Sequence, residues 1–115
     1  MPADETRIYD RAEAVARLDG DVSLFAEMAG MFITECDAYC RGLETAVAAR
    51  DAVTLRREAH TLKSVLATFS CETGRALAQQ LEQQAAGGCL EGAEALSCQV
   101  IVAARALAAT LAADR

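Results

Sequence analysis

The chain contains one histidine and one lysine, His60 and Lys63, three residues apart. Every other basic residue is an arginine, ten in all. Neutral imidazole is a nucleophile near pH 7, because its unperturbed pKa is about 6.5. One ring nitrogen can attack phosphorus when the other is held by a hydrogen-bond acceptor that fixes the tautomer. A lysine one turn away can neutralise phosphoryl oxygens as a compact point charge. The pair therefore has the residue types that phosphoryl transfer needs.

The surroundings fit an anionic ligand or an acidic partner. Between Arg50 and Lys63 there are four basic side chains (Arg50, Arg56, Arg57, Lys63) against two acidic ones (Asp51, Glu58). The segment is locally positive on an acidic protein. Spacing alone leaves a second reading open. A lone surface histidine is usually an ordinary solvated residue, and Arg56/Arg57 reads more readily as a solvated face than as a site. Met28 and Met31 read as core filling.

A helix must position these residues. Leu55, Ala59, Leu62, Leu66 and Phe69 recur at steps of three and four, the period of one buried helix face. At about 100° per residue, His60 falls roughly 140° from the centre of that stripe. Lys63 falls near 80°, Arg56 near 100° and Ala67 near 120°, with Ser64 near the outermost side. His60 should reach water with a cation beside it. The small residues Ser64 and Ala67 leave room for a partner.

The rest of the chain predicts five helices. The first runs from about Asp10 to Leu18, with Asp10 and Glu13 as a capping box. Asp19-Gly20-Asp21 stops it and caps the next. The second runs from about Val22 to Ala49, with Phe25, Met28, Phe32, Cys36, Tyr39, Leu43 and Ala46 on its buried face. Asp51 caps the third, about Ala52 to Phe69. Ser70 is expected to cap the fourth, which reaches about Ala85 before Gly87-Gly88. The fifth spans about Glu91 to Ala113. Short connections between long helices predict an all-α, antiparallel up-and-down four-helix bundle, with the short first helix covering one end.

At 115 residues the chain fits one domain, 1–115, with an ordered core of about 8–113. It is 53% hydrophobic with only 4% aromatic residues, and its single proline, Pro2, interrupts no helix. The net charge of −6 argues against a nucleic-acid binder. No segment reads as a membrane span, and Met1 to Asp10 lacks the apolar core of a signal peptide, so a cytoplasmic protein is expected. The five cysteines, Cys36, Cys40, Cys71, Cys89 and Cys98, form no C-x-x-C pair. An odd count does not suggest a disulfide framework, and tetrahedral zinc wants four ligands where the chain has only one histidine.

Ala59-His60-Thr61-Leu62-Lys63-Ser64 resembles the A-H-x-L-K-G signature of histidine-phosphotransfer (HPt) domains. Leu77 to Glu82, with its Leu81-Glu82 pair, looks like the next helix of that family. Asp10, Leu18-Asp19-Gly20-Asp21 and Phe32 look like its N-terminal pattern, so the resemblance covers nearly the whole chain.

The resemblance implies a stand-alone phosphorelay protein. It would accept a phosphoryl group on Nε2 of His60 from an aspartyl phosphate and pass it to another receiver. Lys63 would steady the group, and Glu82 would accept a hydrogen bond from Nδ1. Arg56, Ser64 and Ala67 would lie under the docked partner. Partners would be receiver domains of response regulators or of a hybrid histidine kinase, with Mg²⁺ on the receiver. No intrinsic cofactor, ATP-binding segment or kinase domain is expected, and a monomer is. The family usually has glycine where Ser64 and Ser70 stand, which bears on partner choice and transfer rate. The competing reading is a helical interaction or dimerisation module in which His60 is incidental. An exposed apolar patch beside His60 would mark the docking face.

Overall fold

The computed structural model describes residues 8–114. Pro2, most of the polar N-terminal segment and Arg115 lie outside the described residues. Five helices and no strand occur among those described: α1 (Arg11–Ala16), α2 (Val22–Ala48), α3 (Ala52–Thr68), α4 (Glu72–Ala86) and α5 (Ala93–Ala113). At 1.5 Å per residue, the 27-residue α2 accounts for the 40 Å long dimension of the molecule. α3 packs between α2 and α4, and α5 closes the ring against the same two helices. The core consists of the inward stripes of all four, including Phe25, Phe32, Leu43, Leu55, Leu62, Leu66, Leu81, Val100 and Leu107.

Three aspartates start three helices. Asp10, Asp21 and Asp51 have extended backbones, and each side chain accepts from the N–H three residues on (Glu13, Leu24, Thr54). This is the N-cap arrangement, which satisfies an amide that the helix cannot. The reciprocal half of the expected capping box is used otherwise. Glu13 pairs with Arg17, and the Asp10 N–H donates to the Ser70 carbonyl at 3.2 Å. With its Arg17 side chain on the Ala67 carbonyl, α1 is tied across the C-terminal end of α3.

Ser70 does not cap α4. Its backbone is left-handed (φ +55°), and the N-cap is Cys71, without a side-chain cap bond. The reason lies in the preceding helix. Ser70 N–H donates to Ala67 and Cys71 N–H to Leu66, both at 3.0 Å, which ends α3 in a Schellman turn. The left-handed position of that turn falls on Ser70, so its hydroxyl is not presented to α4.

Two further readings change. Met31 is 59% exposed, and Met28 is only partly buried. Ala29 and Cys40 take core places on α2 that the assumed register gave to Met28 and Tyr39. By length and composition α5 would also pass for a membrane-crossing helix, with a mean hydropathy of 1.7, because only Glu94 and Arg105 interrupt it. In this fold Val100, Ile101, Ala104, Leu107 and Leu111 of α5 are buried in the bundle.

Candidate functional site

α3 carries His60 and Lys63 as the periodicity requires. Leu55, Ala59, Leu62 and Leu66 have no exposed surface, so the helix cannot rotate about its axis without losing its core. That fixes His60 outward, with 58% of its side chain exposed. Lys63, closer to the stripe, is 26% exposed. Arg56 and Ser64 are exposed, whereas Ala67, farther round the helix from the stripe than Arg56, is half-buried.

α4 supplies the residue that joins the pair. Glu82 follows Leu81, which is fully buried, so its side chain emerges at the edge of the α3–α4 contact. One carboxylate oxygen, Oε2, is 2.8 Å from His60 Nδ1. The other, Oε1, is 2.7 Å from Lys63 Nζ. A single carboxylate thus holds both groups. The Lys63 ammonium and, secondarily, the hydrogen bond from His60 keep the Glu82 carboxyl below its ordinary range, against the opposing effect of burial.

This arrangement has a chemical consequence. An ionised carboxylate only accepts, so His60 Nδ1 must carry the hydrogen. The lone pair of the neutral ring is then on Nε2, the nitrogen away from Glu82. Lys63 is not a free cation in this state.

Two other side chains belong to the surroundings. Arg17, the C-cap of α1, reaches the carbonyl of Ala67, a contact across 50 residues for which local spacing carries no signal. Gln79 of α4 accepts from Arg75 at 2.6 Å, and Arg75 also pairs with Glu72 at 2.6 Å. The spacing of Glu72, Arg75, Gln79 and Glu82 by three and four residues is legible as one polar flank of α4.

Of the apolar residues on α1, α2 and α3, Met31 and Leu24 are exposed, and Val15 and Val65 are partly buried. Met28, Met31, Tyr39 and Val65 line a hollow of about 150 Å³ between α2 and α3. It lies on the flank of α3 away from Glu82, with Ser64 on the outer face between it and His60. Cys36, Cys40 and Cys71 are buried, Cys89 and Cys98 are exposed, and all five are free thiols.

A model of the Hpt domain family matches residues 27–114. The chain is also similar in structure to histidine-containing phosphotransfer protein B (HptB) from Pseudomonas aeruginosa PAO1, known from a crystal structure. The TM-score is 0.85 over 95% of each chain, at 20% sequence identity. That likeness bears on the five-helix architecture. No curated protein matches the chain.

Proposed function

The chain belongs to the Hpt domain family and serves histidine phosphotransfer in a phosphorelay, and from that premise we propose that His60 carries the phosphoryl group. The observation that supports this most directly is the Glu82 carboxylate, 2.8 Å from His60 Nδ1 and 2.7 Å from Lys63 Nζ.

The step runs as a displacement. His60 Nε2 attacks the phosphorus of an aspartyl phosphate on a receiver domain. The N–P bond forms, and the P–O bond to the aspartate breaks with its electron pair returning to the carboxylate. The Nδ1 proton stays on the ring, where Glu82 holds it and balances the positive charge that the ring gains. The leaving group of the return step is then neutral imidazole rather than its anion. Lys63 exchanges Glu82 for the phosphoryl oxygens as their charge arrives. The phosphoryl group passes on to another receiver by the same steps in reverse.

Mg²⁺ would belong to the receiver. Glu82 meets His60 at Nδ1, and both its oxygens are engaged, one by His60 and the other by Lys63. Arg56, Ser64 and Ala67 form the surface that the receiver would cover, and the smallness of Ser64 and Ala67 permits close approach. The buried stripe of α5 favours its use as a core helix rather than as a membrane span.

Incubation with a phosphorylated receiver domain tests the reading. Label is expected on wild type in an acid-labile, base-stable form, as for a phosphoramidate, and not on His60→Gln. Equal labelling of the two would sink the assignment. Lys63→Ala should fold normally and transfer on the order of 100-fold more slowly, the usual effect of removing one charge-stabilising donor. Loss of folding would make Lys63 structural instead.

A further inference from the structure

The outer face of α5 is apolar. Glu94 and Arg105 are the only charged residues of this helix. Val102 is 67% exposed, and Ala95, Cys98, Ala109 and Ala113 are exposed with it. By helical rotation these four lie within about 40° of Val102, so they form one outward stripe. The outward stripe of a surface helix is ordinarily polar or charged. The apolar surface continues toward α4 over an open hollow of about 570 Å³ with no charged side chain in its lining, where Ile8, Gly74 and Leu77 meet Cys98 and Val102. On a chain of net charge −6, a second copy meets least repulsion on this face.

The two charges of α5 match those of a second copy. Both sit on the flank toward α2: Arg105 pairs with Asp37 of α2, and Glu94 lies beside Val47 and Ala48. They are about three helical turns apart. Among the described residues Glu94 has no ion pair. When two copies of α5 pack face to face and antiparallel about a two-fold axis, the α2 flank of one adjoins the α2 flank of the other. A parallel pair would instead set the α2 flank against the uncharged α4 flank. Bringing Glu94 level with Arg105 of the second copy makes the same match twice, once at each end. The axis then passes between Gln99 and Val100, inside the apolar stripe.

We propose that this face is the interface of a homodimer, in which two α5 helices pack antiparallel with Glu94 of each copy against Arg105 of the other. From Ala95 to Ala113 the stripe is about 28 Å long, and with the adjoining strip of α4 it covers roughly 500 Å² of each copy. An interface of about 1,000 Å² in total belongs to weak, reversible complexes, so pairing is expected with a Kd on the order of 10 µM. α3 lies across the bundle from α5, each packed against α2 and α4. His60 therefore stays open on both copies, and the pairing does not depend on what His60 carries.

Sedimentation equilibrium of the full chain in reducing buffer should show the mass rising from one chain toward two between about 1 and 100 µM. Val102 is a surface residue, so Val102→Glu should fold as wild type does. It should weaken pairing roughly 100-fold by setting like charges near the axis. Glu94→Arg should weaken pairing about tenfold, and Glu94→Arg/Arg105→Glu should restore most of that loss. The axis also sets the two Cys98 side chains about 5 Å apart along the helices, within reach of a disulfide after small adjustment. Diamide, which takes up the two protons and two electrons that a thiol pair releases, should cross-link wild type and Cys89→Ser but not Cys98→Ser.

A single-chain mass at a concentration of about 500 µM, or a Val102→Glu variant that pairs as well as wild type, overturns the dimer. A charge-swapped double variant that pairs no better than Glu94→Arg overturns the antiparallel match. So does rapid cross-linking of Ala95→Cys in a Cys89→Ser/Cys98→Ser background, because antiparallel helices hold those two positions about 13 Å apart and parallel helices hold them level.

Discussion

At the residue scale, the site is one carboxylate shared by two partners. Glu82 sits below its ordinary pKa chiefly because Lys63 stabilises its charged form. In the unfolded chain it titrates near its ordinary value of 4.5 and takes up its proton first as the pH falls. Its contribution to stability is therefore full above that value and is lost as the pH drops from there through the folded value. Urea midpoints of wild type and Glu82→Gln should differ by a constant amount near neutrality and converge below about pH 4. A gap that stays constant down to pH 3 would show that the carboxylate is not charge-paired in solution. His60 and Lys63 were legible in the sequence because both lie on one helix, where rotation per residue fixes their directions. Glu82 was legible as a partner for His60 only through the family pattern. Its second contact, with Lys63, was not, because it depends on the register of α3 against α4, which no local spacing encodes.

At the element scale, helix ends follow from short-range chemistry where a side chain caps its own helix. Asp10, Asp21 and Asp51 were readable for that reason. Ser70 misled because two helix ends compete for the same residues. The end of α3 requires a left-handed residue, and a serine there is strained. The Ser70 hydroxyl is also buried without a hydrogen-bond partner. Glycine at this position relieves both and retains the carbonyl that accepts from Asp10. Ser70→Gly should stabilise the protein by about 1 kcal/mol and raise Tm by a few degrees. A lower Tm would mean that the side chain has a partner in solution or that glycine loosens the unfolded chain more than it relaxes the turn.

At the scale of the whole molecule, the core contains ionisable groups: three thiols and the phenol of Tyr9 are buried in it. Cys36, Cys40 and Cys71 are nearly inaccessible, and burial raises all three thiols, Cys36 to about 12. Tyr9 is likewise pushed up to about 12 by burial and by its 2.6 Å hydrogen bond to Asp114, a contact that joins the two ends of the described chain. These groups are acids whose folded pKa values lie above their unfolded ones. As pH rises through the ordinary thiol value of 9.0 and the ordinary tyrosine value of 10.0, the unfolded chain releases protons that the folded chain retains. Stability is thus full below pH 9 and falls above it, by about 1.4 kcal/mol per pH unit for each thiol protonated only in the fold. Several such groups act together against a total of order 10 kcal/mol, so the bundle should unfold cooperatively on the alkaline side under reducing conditions. Cys36→Ala should be less stable than wild type at pH 7, because it leaves a small void, yet lose stability less steeply between pH 9 and pH 11. Tyr9→Phe should show the same flattening, displaced toward higher pH because the phenol ionises later than a thiol. Parallel urea-midpoint curves for all three proteins over that range would mean that the thiol and phenol protons are not held by the fold, and that the core opens to water before they titrate.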